Sequence, residues 1–123
     1  MDSILTSVKK ALGSTAEYDH FDPEIIMHIN SVFSDLREIG VGPKEGFVIE
    51  DDTSVWTDFI SDANKLWFEN VKSYMYLRVQ LLFDPPTQAS VLASKERQAD
   101  KMEWRLHFAA EEVAQEEASQ NGK

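Results

Sequence analysis

The chain has no cysteine. That excludes disulfide staples and thiolate metal sites, and it leaves redox chemistry silent about compartment. Bases are scarce: 12 Lys and Arg stand against 22 Asp and Glu, a formal net charge of −10. A surface of that sign repels phosphate, so sequence-independent DNA binding by counterion release is not expected. Histidine is rare too. His20, His28 and His107 are the only three, and no two of them stand at a metal-binding spacing. There is no Gly-rich phosphate loop and no nucleophile elbow. These gaps leave no catalytic residue, cofactor or metal to assign, and an enzyme survives only as a cryptic-motif reading. No basic segment followed by an apolar run opens the chain, so no signal peptide is read there and a soluble intracellular protein is expected.

With 123 residues, one domain is expected, and folding would bury about two-thirds of the unfolded surface. The stretch that organises it is residues 66–86, LWFENVKSYMYLRVQLLFDPP. No Gly or Pro interrupts it before Pro85, so it can run as one helix of roughly 27 Å at about 1.5 Å per residue. Glu69, Lys72, Ser73 and Gln80 share one narrow polar strip, and most of the remaining circumference is apolar. So wide an apolar arc needs cover on several sides, which makes this the central helix. Its charges (Glu69, Lys72, Arg78) argue against a membrane span.

Arg78 falls inside the apolar arc. A guanidinium there needs a partner, since a lone buried charge costs several kcal/mol. Two readings follow: a structural pair with a carboxylate or helix-end carbonyls, or a face turned toward another subunit. Asp84 stands before Pro85 and is pushed out of the α region, so Asp84, Pro85 and Pro86 form a stiff corner.

Upstream, Asp2 or Ser3 can cap a short helix with Ile4, Leu5, Val8 and Leu12 on one face, ended by Gly13. A polar connection holding Tyr18, His20 and Phe21 follows. Asp22-Pro23-Glu24 then reads as a helix start with Asp22 as the cap. Ile25, Ile29, Val32, Leu36 and Ile39 recur at helical spacing up to Gly40, with Ile26 and Phe33 widening the face. His28 stands at the edge of that face. Gly40, Gly42, Pro43 and Gly46 mark a loop, and Phe47-Val48-Ile49 is a short extended or strand piece.

Between Lys44 and Asp62 lie six acids: Glu45, Glu50, Asp51, Asp52, Asp58 and Asp62. They lack the alternation of a calcium loop. Thr53 or Ser54 can cap a short helix carrying Val55, Trp56, Phe59 and Ile60, whose two large rings suggest a plug over the end of the central helix.

Past the prolines, Thr87 can cap a long last helix. Leu92, Ala99, Met102, Leu106, Ala109 and Val113 form one stripe, interrupted by Lys95, and Trp104 with Phe108 a second. The stripes are too irregular for a parallel coiled coil and suggest packing antiparallel to the central helix. From Glu111 onward acids and small residues dominate, opposed only by Lys123, and disorder is expected from Ser119. The fold expected is therefore all-α: four to five helices, with the central and C-terminal helices joined at the double proline. Residues 1–108 would form the domain and 109–123 an acidic extension, partly helical or disordered. The profile is that of a protein that binds other protein.

The run from Tyr74 to Pro86, YMYLRVQLLFDPP, resembles the signature of head–tail connector (adaptor) proteins of long-tailed bacteriophages and prophages. Further motifs agree in order: Phe21-Asp22-Pro23-Glu24-Ile25-Ile26 with Ile29-Asn30-Ser31, Gly40-Val41-Gly42-Pro43 with Gly46-Phe47, Trp56-Thr57-Asp58-Phe59, and Glu103-Trp104-Arg105-Leu106. The resemblance spans about residues 2–108. It implies a helical virion protein at the neck, assembled in the host cytoplasm, with no catalytic or cofactor residue. It further implies a ring of about a dozen copies with cyclic symmetry beneath the portal protein. Such a ring lengthens the DNA channel and offers a platform to stopper or tail-completion proteins.

On this reading Arg78, Asp84, Pro85, Pro86, Trp56, Trp67 and Trp104 are candidates for a subunit interface or structural motif. Glu50, Asp51, Asp52 and Asp58, or the C-terminal acids, are candidates for an acidic lumen that lets DNA slide. The plain alternative for the acids is solubility. The competing function is a small acidic regulatory module that inhibits a partner, acting as a monomer or dimer.

Overall fold

Local hydrogen bonds close several of the helix ends. The computed structural model describes residues 2–15 and 17–121, the stretch 117–121 as backbone. Helix α1 (Ile4–Ala11) opens on Ser3, whose Oγ accepts from the Thr6 amide at 3.1 Å. Asp2 instead pairs with Lys10 at 2.7 Å. At its end Gly13, at φ 83°, donates to Lys10 O, and Ser14 donates to Lys9 O. These two bonds satisfy carbonyls the helix leaves open.

Helix α2 (Asp22–Glu38) closes the same way, with Gly40 N–H on Arg37 O and Val41 N–H on Leu36 O. Its start differs from the expected cap. Asp22 is the first helical residue, and the cap position falls on Phe21, which has no capping side chain. The Asp22 carboxylate reaches Lys9 at 2.8 Å instead, with Lys9 only 2% exposed. Eight residues of α1 would be marginal alone. Burial of Ile4, Leu5 and Val8 and this ion pair hold it against α2.

Residues 47–49 are extended, and no strand forms among the described residues. Asn30 takes the place of a strand partner: Ile49 N–H donates to Asn30 Oδ1 at 2.8 Å, and Asn30 Nδ2 donates to Ile49 O at 2.9 Å. A single antiparallel bridge joins Ser3 to Val55.

Helix α3 is one turn, Trp56–Phe59, and neither Thr53 nor Ser54 caps it. Asp58 closes the turn by accepting from Val55 N–H at 2.9 Å. Its rings sit within the core rather than over a helix end. Phe59 packs on Phe33 at 4.5 Å between centroids, Trp56 meets Tyr76 edge-on at 6.2 Å, and the Trp56 indole donates to Ser7 Oγ at 2.9 Å. Gly42, at φ +90°, lets the loop pass so close to Phe59 that a Cβ would strike the ring.

Helix α4 (Lys65–Phe83) is the central element. Asn64 Oδ1 caps it from the Trp67 amide at 3.0 Å, a cap the apolar pattern gave no reason to pick. Val71, Tyr74, Met75 and Val79 are fully buried, and α1, α2 and α5 all pack against this helix. Asp84, Pro85 and Pro86 turn the chain. Helix α5 (Ala89–Asn121) begins after Gln88, whose carbonyl takes the Leu92 N–H, so Thr87 lies outside the cap position.

The α4–α5 contacts run Gln80 to Lys95, Arg78 to Asp100 and Tyr74 to Glu103. The numbers fall on one helix as they rise on the other, so the pair is antiparallel. Lys95, which breaks the apolar stripe, donates to Gln80 at 3.2 Å. The α5 backbone stays helical through Asn121, past the expected onset of disorder at Ser119; Gly122 and Lys123 lie outside the described residues.

Asn30→Ala removes both bonds to the Ile49 peptide, and Ile49 is 2% exposed. It should lower unfolding stability by about 2 kcal/mol, read from urea midpoints at unchanged slope.

Candidate functional site

The charged centre of the molecule is a network between α4 and α5. Arg78 Nη2 lies 2.9 Å from Asp100 Oδ1 and 3.9 Å from Glu103 Oε1. Its Nε donates to the Tyr74 hydroxyl at 3.0 Å, and that hydroxyl donates to Glu103 at 2.9 Å. The guanidinium also sits 5.3 Å from the Tyr74 ring centroid. Burial alone would lower the Arg78 pKa, but the bonds from Tyr74 and Asp100 outweigh it and hold the group above its ordinary value. Burial pushes the Tyr74 phenol up to about 12, with Glu103 adding to the rise and Arg78 opposing it. Asp35, on α2, faces the same cluster. Its pKa is raised by burial first, then by Glu38 and Glu103. Arg78 is thus paired inside its own chain.

The three tryptophans divide. Trp56 and Trp67 are buried in the core, whereas Trp104 is 67% exposed. Its ring meets Phe108, itself 52% exposed, edge-on at 4.5 Å. Among the candidate acids, all four are exposed. Asp51 accepts from the Thr53 amide and hydroxyl, which lowers its pKa, and Asp58 closes α3. Glu50 and Asp52 carry no such local duty in the loop. At the corner, Phe83 packs edge-on with Phe21 at 5.4 Å beside His28. An open cleft of about 1160 Å³ lies where the 40–44 loop, residues 59–64 and α5 near Ala110 meet.

A family model described as phage connector protein matches residues 4–113. The chain belongs to that family. The match opens on the first residue of α1 and closes on Val113, which packs at the edge of the core. No curated protein and no solved structure matches the chain. Membership makes this connector a structural protein of phage head–tail connection and a component of the virion. Among the described residues, no helix is long and apolar enough to cross a membrane.

Of the candidate residues, Arg78, Trp56 and Trp67 serve contacts inside the chain, whereas Trp104 joins Phe108 among the large apolar side chains left exposed. The sequence marked Arg78 as needing a partner, but although Tyr74 and Glu103 stand in motifs of the resemblance, nothing identified them, Asp35 or Asp100 as members of its network. The one local signal was the i, i+4 spacing of Tyr74 and Arg78. Asp100 stands 22 residues away.

The raised Tyr74 pKa fixes a sign. The fold favours the neutral phenol, so this contribution is intact below pH 10, the unfolded value, and is lost as pH rises toward about 12. Tyr74→Phe should cost about 1–3 kcal/mol near neutral pH. The gap to wild type should hold up to pH 10 and shrink above it, measured by denaturant titrations across that range.

Proposed function

We propose that the protein is the subunit of a closed ring of about a dozen copies at the phage neck. The ring sits beneath the portal, extends the DNA channel and carries the stopper or tail-completion protein. The family match supports the neck position, and the exposed Trp104–Phe108 pair is the observation that carries assembly. A monomer gains nothing from two large rings in water, whereas a subunit buries them on docking.

The lumen is assigned to the acidic end of α5, where Glu111, Glu112 and Glu116 are exposed. Two of the loop acids, Asp51 and Asp58, serve local structure instead. A wall of carboxylates repels passing phosphates and keeps DNA sliding.

The portal assay comes first. Light scattering and electron microscopy with the cognate portal should show a portal-bound ring with cyclic symmetry. A protein that stays monomeric and ignores the portal overturns the ring. The lumen has its own test. Replacing Glu111, Glu112 and Glu116 with Lys should leave rings intact and create salt-sensitive duplex binding in gel-shift and particle DNA-retention assays. No change in either removes the lumen assignment.

A further inference from the structure

Helix α5 carries a second feature on its solvent face. Arg97, Lys101, Trp104, Arg105 and Phe108 recur at spacings of three and four, so they share one face, and all five are exposed. This face lies opposite the packed stripe of Ala99, Leu106 and Ala110. Among the described residues, Arg97, Lys101 and Arg105 join no ion pair. On a chain of net charge −10, three cations around two exposed rings stand out as a basic, apolar patch that ends where exposed Glu111 and Glu112 continue the same face.

The complement is present in the same chain. Val48 is 64% exposed, and Glu50, Asp51 and Asp52 beside it are exposed too. This loop is fixed on α2, through Asn30 to Ile49 and through Phe47 on Phe33 at 5.2 Å. The loop is carried by α2 and the rings by α5, which meet where His107 reaches Ile39 O at 3.2 Å, so the two patches are separate surfaces of one chain.

The geometry points to a head-to-tail contact in which the Trp104–Phe108 face of one copy docks on the Val48–Glu50–Asp52 loop of the next. This rests on the ring proposed above and names its subunit interface. Opposite charges meet at the rim and apolar groups at the centre, the usual arrangement of a specific interface. Parallel self-pairing of two α5 faces would set Arg97, Lys101 and Arg105 against their own copies, and an antiparallel pairing centred on Trp104 would join two copies and close no ring. Duplex DNA would satisfy the cations but leave the rings without an apolar partner. Two different, complementary patches on one chain generate a ring when the rotation closes.

The absence of cysteine makes the test clean. Full-length Val48→Cys, Phe108→Cys and the double variant are assembled with the portal, treated with a short bis-maleimide and run on denaturing gels. The double variant should give a ladder of covalent multimers. Each single variant should stay monomeric, and their mixture should stop at dimers. In a second arm, Lys101→Glu with Arg105→Glu should abolish rings while circular dichroism stays native. Adding Glu50→Lys and Asp52→Lys to the same chain should restore them.

Rings seen by microscopy without cross-chain linkage overturn this interface and leave the ring standing. Efficient dimerisation of Phe108→Cys alone overturns it in favour of a two-fold contact. Charge-reversed chains that still form rings but lose duplex DNA binding would assign the patch to DNA instead. Wild-type protein that forms no ring removes both proposals together.

Discussion

The arrangement depends on one constraint: Arg78 stands in the apolar arc of the central helix and must be paired there. Its partners, Asp100 and Glu103, both lie on α5. Apolar stripes alone would let two long helices slide past each other by a turn at modest cost. The ion pair resists that slide modestly, because Arg78 is 22% and Asp100 72% exposed and a solvated pair of this kind is worth about 1 kcal/mol or less. The larger share falls to the buried Tyr74 hydroxyl, which a slide would strip of its carboxylate. The Tyr74 hydroxyl ties the arrangement further by donating to Glu103 while accepting from Arg78. Register between α4 and α5 sets the height along α5 at which Trp104 and Phe108 stand, and the buried stripe of Ala99, Leu106 and Ala110 turns them outward.

The helices were legible in the sequence because their signals are local. Ile25, Ile29, Val32 and Leu36 repeat at helical spacing, and Gly13 and Gly40 sit where a left-handed residue ends a helix. The double proline marked the turn between the long helices. Caps were harder, because several side chains near a helix start can serve and tertiary contacts choose among them. Asp22 has the chemistry of a cap, yet buried Lys9 claims its carboxylate. Asn64 does cap α4, although nothing around it distinguishes it from an ordinary loop residue.

The site was less legible for the same reason. Periodicity placed Trp104 and Phe108 on a stripe of their own but carries no sign for packed against free. Trp67 and Trp104 are the same residue type on neighbouring helices, and the cover supplied by the rest of the chain is what separates 8% from 67% exposure. The need for a partner at Arg78 could be read from its position; Asp100 could not, since antiparallel packing brings it near across 22 residues. Among the acids of the loop, composition could not separate Asp51 and Asp58, which hold backbone, from Glu50 and Asp52.

The Asn30 amide, bonded to both the N–H and the C=O of Ile49, also closes a backbone edge. An extended segment with open hydrogen-bonding groups is a template on which another chain can add as a strand. Here one side chain occupies the template at Ile49. Both hydrogen-bonding groups of Ile49 are therefore closed to a second chain, and the extended segment offers no edge there for strand addition.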